Sequence, residues 1–420
     1  MTGASRIFQN PNFRRLFTGK IISQLGDQFY IFCLGWYILD LTRSSLQMAS
    51  FIMTETLVFA LVTPLGGIIA DRCSRQNILV WTDLVRGFVV LAVAALISAH
   101  QLELWMLYPS ALILGCCAGL FVPAASAIIP DIVTGDQLVQ ASSLDNFIGS
   151  CCAAVGILGS GILYNLLGIF GVFVLNGSSY LGSAWLESRL ALPLREHRTK
   201  CPESSANKSI KRFVAEIAAG YRYILTNRLI LSLTAFNALF NFIAIPALFI
   251  LLPFIFNTQL QASPFQLALV QGSAWVGILL SSLVAPRFLK KIKLQKAIFG
   301  ALCVYCLCQA INAALLLAPT QSVLSLWQTT GLFSCNGLLI GLAMPFIFIP
   351  LNVLFQANTA EAFRGQFWGL QSSLLTIALP LGYLLIGWSA SQVPASLILL
   401  GIAMLMMAAN LVVNRFGQSD

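Results

Sequence analysis

The sequence predicts an all-α polytopic membrane protein, with twelve transmembrane helices in two six-helix halves. Three observations predict it. Of 420 residues, 58% are hydrophobic and 9% charged, with a mean hydropathy of +0.84. An ordinary globular domain is about 45–50% apolar and about 25% charged. So few charges could not cover a soluble surface, and the composition excludes a disordered chain and a nucleic-acid binder. Second, apolar runs of spanning length, each about 20 residues or more, follow one another along the whole chain. Third, the basic residues fall almost wholly on alternate junctions between those runs.

The first six runs are 16–40, 46–70, 78–99, 104–129, 141–163 and 170–192. The second six are 229–256, 265–284, 297–317, 323–353, 367–388 and 395–413. Between the sets lies the only long polar stretch, 194–227, with Arg195, Arg198, Lys200, Lys208, Lys211, Arg212 and Arg222. The chain therefore divides into an N-terminal half (1–193), a basic linker (194–228) and a C-terminal half (229–420). Residues 210–225 of the linker are compatible with an amphipathic helix on the membrane surface.

The chain carries 24 Lys and Arg against 15 Asp and Glu, a net charge of +9. Arg43 alone lies at an odd-numbered junction and Arg86 lies within a span, which leaves 22 of the 24 on the other side. Basic loops stay in the cytoplasm, so both termini are expected there, in a multi-pass protein of a bacterial inner membrane. The first run is too long for a cleavable signal peptide and lacks a small-residue cleavage site.

The halves echo each other. Phe121-Val122-Pro123 closes the fourth run and Phe348-Ile349-Pro350 the tenth, 227 residues later. Paired repeats in a membrane protein place a substrate site between them near the bilayer midplane.

The strongest motif follows the second span: Gly67-Ile68-Ile69-Ala70-Asp71-Arg72-Cys73-Ser74-Arg75. It resembles the loop signature of the major facilitator superfamily, G-x-x-x-D-R-x-G-R-(R/K), with Ser74 for the second Gly and Gln76 for the last basic residue. Gly67 is expected to permit close helix approach. Asp71 is expected against the positive N-terminal end of the eleventh span. Arg72 and Arg75 can pair with carboxylates or helix-end carbonyls. The resemblance implies that the loop is a cytoplasmic latch, with Asp145 as its partner.

Two further segments are similar to the branch that contains macrolide-efflux proteins and the enterobactin exporter. One runs from Asn12-Phe13-Arg14-Arg15-Leu16-Phe17 through Ser23-Gln24-Leu25-Gly26-Asp27 to Trp36-Tyr37-Ile38-Leu39-Asp40. The other runs from Phe121-Val122-Pro123-Ala124 to Leu138-Val139-Gln140-Ala141-Ser142. The latter, with Pro350-Leu351-Asn352, also resembles the bacterial lysophospholipid transporter. Proton-coupled drug antiporters of the superfamily usually carry an Arg in the fourth span and a Gly-Pro pair in the fifth. Here the fourth span has no basic residue, and the fifth reads Gly156-Ile157-Leu158-Gly159-Ser160-Gly161.

Ionisable residues inside a membrane are costly and mark functional sites. Asp27 lies mid-way along the first span, with Gln24 and Gln28 forming a polar patch that can hydrogen-bond it. Glu55 lies at similar depth in the second. Either can bind a proton or a cationic substrate group, or can be a protonated structural acid bonded to a neighbouring helix. Asp83 and Arg86, spaced i,i+3, can neutralise each other; since the third span lies outside the cavity in this superfamily, a structural role is expected for them. Thr234, Asn237 and Asn241 share one side of the seventh span, as cavity lining or as interhelical contacts. No carboxylate lies between Glu216 and Glu361, so a proton-coupling acid belongs to the first half. Trp275, Trp327 and Trp368 are cavity aromatics or interface anchors.

The expected function is secondary active transport: export of a small amphipathic compound, a drug or siderophore, by alternating access with proton coupling. The alternative is lysophospholipid flipping. An enzyme is not expected. His100 and His197 lack an Asp five residues on, and there is no Gly-x-Ser-x-Gly elbow or P-loop. No cofactor and no metal are expected; Cys303-x-x-Cys306 has metal-ligand spacing but no second pair or nearby His. The expected partners are the small-molecule substrate, protons and membrane lipids, with no nucleic acid and the chain a monomer.

Overall fold

A computed structural model describes residues 7, 9–133, 136–191, 227–317, 320, 322–359 and 364–416. Of the linker (194–228), residues 194–226 lie outside the described residues. Helices α1 (Pro11–Thr42), α2 (Ser45–Arg72), α3 (Arg75–Ser98), α4 (Leu107–Ile132) and α5 (Asp136–Ser188) build the first half. Helices α6 (Arg228–Pro246), α7 (Pro264–Leu289), α8 (Leu294–Leu315), α9 (Leu326–Asn358), α10 (Arg364–Gln392) and α11 (Ala395–Phe416) build the second. Among the described residues nine helical stretches are long and apolar enough to cross a membrane, and no strand occurs.

The predicted fifth and sixth spans are two helices, the arms of α5, that meet at Gly168, where the backbone is non-helical (φ 62°, ψ −177°) in a conformation that suits a residue without a Cβ. The predicted count of twelve treats its arms as two spans. It also includes α1, whose middle carries Gln24, Asp27 and Gln28, and α10. Start and stop signals are local. The Asn10 side chain accepts hydrogen bonds from the amides of Asn12 and Phe13 at the start of α1. Ser263 with Gln266, and Ser325 with Gln328, form capping boxes at α7 and α9. Beyond Pro246 the sixth helix continues through π-helical turns at Ala247–Leu251 and Ile255–Gln259. Pro123 and Pro350, expected near helix ends, sit inside α4 and α9, which run on to Ile132 and Asn358.

Packing repeats between the halves. Helix α2 lies against α4 as α7 lies against α9, and α3 packs on α4 and α5 as α8 packs on α9 and α11. The first of these pairings rests on bare backbone in both halves. A Cβ on Gly66 would strike Gly119, and one on Gly341 would strike Ala274, so the helices touch where small residues let them. The halves meet along α2 with α10 and α5 with α7.

Hydrogen bonds also join the halves at the end of the bundle where α1 turns into α2. Arg43 donates to the Asn257 carbonyl (3.3 Å) and to its Oδ1 (3.2 Å). Asn257 Nδ2 donates to Asp40 Oδ1 at 2.6 Å. Ser45 Oγ donates to the Gly387 carbonyl at 2.8 Å.

Candidate functional site

Asp27 is placed mid-way along α1, facing the second arm of α5. The Tyr180 hydroxyl donates a hydrogen bond to Asp27 Oδ1. Gln24 and Gln28 do not bond it as expected. Gln24 Oε1 is buried without a partner. Gln28 is turned toward the other half, in a small gap shared with Ile52, Phe249 and Gln271. Spaced i,i+4, the two amides share one face of α1, rotated about 60–100° around the helix from the acid.

Around Asp27 the first half gathers its charges. Asp83 and Arg86 of α3 pair at 3.3 Å, both buried. They do more than neutralise each other. The Arg86 guanidinium carbon lies 4.7 Å from the Phe121 ring centroid and 5.4 Å from that of Tyr180, a cation held over aromatic faces. Arg86 therefore stacks on the same tyrosine that holds Asp27. Glu55 of α2 lies within electrostatic reach of both Asp27 and Arg86. Glu187, near the end of α5, is 0% exposed and accepts from Ser183 Oγ at 3.4 Å.

Tyr180 and Glu187 were not singled out in the sequence. Their signal was present: Tyr180, Ser183 and Glu187, at i, i+3 and i+7, lie on one helical face, with an acid inside an apolar run.

The second half holds a cavity of about 460 Å³ between α6, α7, α8 and α9. Its walls are mostly apolar, with Phe240, Phe333 and Phe348 prominent. One polar seam crosses it. Gln309 Nε2 donates to the Tyr305 hydroxyl (2.9 Å), Asn312 Nδ2 to Gln309 Oε1 (3.3 Å), and Asn336 Nδ2 to Asn312 Oδ1 (2.8 Å). Trp275 lines the cavity, and its indole N–H is buried without a partner. Trp327 is exposed, and the Trp368 side chain lies outside the described residues.

Thr234, Asn237 and Asn241 do not line this cavity. Asn241 Nδ2 donates to the Asn237 carbonyl (2.9 Å) and Oδ1 (3.1 Å), so their i,i+4 spacing satisfies each other. Thr234 Oγ1 is buried without a partner.

The loop after α2 departs from expectation at Gly67 and at Asp145. Gly67 faces open space; its neighbour Gly66 makes the close approach. Asp71 is 77% exposed and pairs with Arg75 at 3.4 Å; the side chains at the start of α10 lie outside the described residues. Asp145 pairs with Lys20 of α1 rather than with the loop. Arg72 is exposed. Arg75 is the anchor: it bonds Asp131 Oδ2 at 2.7 Å and the Ala127 carbonyl at 2.6 Å, tying the loop to the end of α4. Gln76, where the signature has a basic residue, donates to the carbonyls of Glu187, Ser188 and Leu190 at 2.9–3.1 Å. Free carbonyls at a helix end need such donors. Among the described residues no group of His, Cys, Asp and Glu forms a metal-ligand cluster.

Known proteins bear on this arrangement. The chain is 20% identical over 387 residues to Macrolide efflux protein A of Streptococcus pyogenes, covering 91% of this chain and 90% of that one. It is 22% identical to the putative bacilysin exporter BacE of Bacillus subtilis, covering 98% and 97%. Its fold matches the crystal structure of a bacterial homologue of the iron transporter ferroportin in its inward-facing state. The TM-score is 0.72 at 17% identity, over 96% of this chain and 98% of that one. The description Major Facilitator Superfamily matches residues 16–383. A bundle of repeated helix pairs, a buried acid in the first half and this match across most of the chain make the protein a member of the Major Facilitator Superfamily.

Proposed function

We propose that this transporter exports a small amphipathic compound, a drug or siderophore, by alternating access, with Asp27 as the proton-coupling acid. The observation that carries this reading is the division of labour between the halves. The first half holds Asp27 and Glu55, half-buried, beside the buried Asp83, Glu187 and Arg86. The second offers an apolar cavity of about 460 Å³ whose polar groups, Tyr305, Gln309, Asn312, Trp275 and Ser282, are neutral. A compound with a large apolar body and a few hydrogen-bonding groups suits the second. A proton suits the first. The efflux relatives support export as the direction.

In the mechanism, Asp27 gains or loses a proton as the halves rock about the site. Glu55, in reach of Asp27, acts as a relay or substrate contact. The bonds from Arg43, Asp40 and Ser45 to the second half hold one end of the bundle closed and break when it opens. By the charge count both termini and the linker face the cytoplasm of a bacterial inner membrane, and the chain works as a monomer.

Purified protein in liposomes, with a pH gradient imposed, tests the reading. Accumulation of a radiolabelled macrolide or catecholate siderophore that collapses with the gradient supports it. Gradient-independent movement of a fluorescent lysophospholipid, with neither of the others moving, replaces it with lipid flipping.

A further inference from the structure

We propose that Asp83 and Glu187 bind one proton between them, as a second proton-holding site beside Asp27. Asp83 on α3 and Glu187 on α5 are both 0% exposed. Ser183 stands between them. Its hydroxyl lies 3.4 Å from Glu187 Oε1 and faces the Asp83 carboxyl as well. Gly19 of α1 closes the site from above, since a Cβ there would sit 3.0 Å from the Ser183 oxygen.

The hydrogen-bond inventory of this site does not close with both acids ionised. One hydroxyl has one proton to donate, so it serves one carboxylate at a time. Asp83 Oδ2 and Glu187 Oε2 are both buried without a partner. A buried acceptor left without a donor is costly, and a buried charge without a counter-charge is costlier. The groups facing the pair are Arg86 on α3, Tyr180 on α5, Cys117 on α4 and Asp27 on α1. Glu55 of α2 faces Asp27 and Arg86. Arg86 is the one cation among these groups, and it lies 3.3 Å from Asp83. It balances one carboxylate. A proton on the pair supplies both the missing donor and the missing positive charge, as in other sites where two carboxyls share one proton.

The site is linked to Asp27 through Arg86. The guanidinium that pairs with Asp83 also stacks on Tyr180, whose hydroxyl holds Asp27. A change of charge at Asp27 alters what Arg86 offers Asp83, and by linkage the reverse holds equally. This link to transport rests on the reading of Asp27 as the coupling acid; the proton between Asp83 and Glu187 does not.

The full chain in lipid nanodiscs, in sodium-free buffer at neutral pH, is examined by hydrogen/deuterium-exchange difference infrared spectroscopy. We expect a protonated-carboxyl C=O band that Glu187→Gln removes and Glu187→Asp restores. The band is expected to persist in Asp27→Asn and to be unaffected by sodium chloride. Survival of the whole band in folded Glu187→Gln overturns the proposal. Loss of the band on adding sodium chloride also overturns it, assigning the site to a monovalent cation. If Glu187→Gln does not fold, Ser183→Ala decides: the proposal predicts a shift of the same band as its hydroxyl partner is lost, and an unshifted band contradicts it. Should Asp27→Asn keep full gradient-driven transport while the Glu187-dependent band is present, the coupling reading fails and this site stands.

Discussion

The hydroxyl of Tyr180, on the second arm of α5, holds the carboxylate of Asp27, on α1. The two residues are 153 positions apart, and the bond crosses between two helices of the same half. It fixes the direction in which the half-buried acid points and connects it to Arg86, stacked on the same tyrosine ring.

Tyr180→Phe keeps the ring and removes the donor. A hydrogen bond to a charged group contributes about 1.5–3 kcal/mol, so gradient-driven transport should fall about tenfold or more. The ring still packs against Arg86, so the variant should fold and express, with a loss of thermal stability no larger than that same figure of about 1.5–3 kcal/mol. Initial rates in proteoliposomes decide; an unchanged rate would mean that Asp27 does not depend on this partner.

At the loop after α2, two neighbouring arginines should behave differently. Arg75 and Asp131 pair at 2.7 Å with side chains only 15% and 14% exposed. Breaking so enclosed a pair costs about 3 kcal/mol or more. Arg75→Ala should therefore lower the unfolding temperature clearly. Arg72 is exposed, and Arg72→Ala should leave stability unchanged. Asp71→Asn should cost under about 1 kcal/mol, because its pair with Arg75 is solvated. Thermal unfolding followed by size-exclusion chromatography ranks the three.

Adjacent glycines should separate just as sharply. Gly67→Ala meets nothing within 4 Å, and alanine favours a helix over glycine by about 0.5–1 kcal/mol, so it should be neutral or stabilising. Gly66→Ala drives a methyl group into the backbone of Gly119. It should separate α2 from α4 and cut the yield of folded protein. Equal yields of the two variants would contradict the packing.

The difference between Gly66 and Gly67 shows where reading the sequence stops. Hydropathy and charge gave the helices and their grouping, because each depends on residues close together in the chain. A glycine's facing depends on the rotation of α2 against α4, and a shift of one residue turns it by about 100°. Asp27 was legible for the same local reason, as an acid in an apolar run. Its tyrosine was not, since Tyr180 reads as one more aromatic in the sixth run. Asn237 and Asn241, read as cavity lining or interhelical contacts, stand one turn apart and bond each other, while Phe240 and Ala244 of the same helix line the second-half cavity.

Topology can be tested by labelling. In a background with Cys73 and Cys335, both exposed, and the remaining cysteines replaced, Ser204→Cys should react only with reagents admitted to the cytoplasm. Gln259→Cys, on the exposed end of the sixth helix, should react from outside. The reverse pattern would overturn the charge count.

The central claim is that Asp27 couples proton movement to transport, and Asp27→Asn in proteoliposomes tests it most directly. Asparagine has nearly the same shape and keeps an acceptor for Tyr180, but it cannot bind and release a proton at any working pH. Substrate is loaded on one side, and two rates are measured in the same vesicles: accumulation driven by a pH gradient, and downhill exchange without one. The account predicts that accumulation disappears while exchange continues. Full gradient-driven accumulation in Asp27→Asn would contradict it.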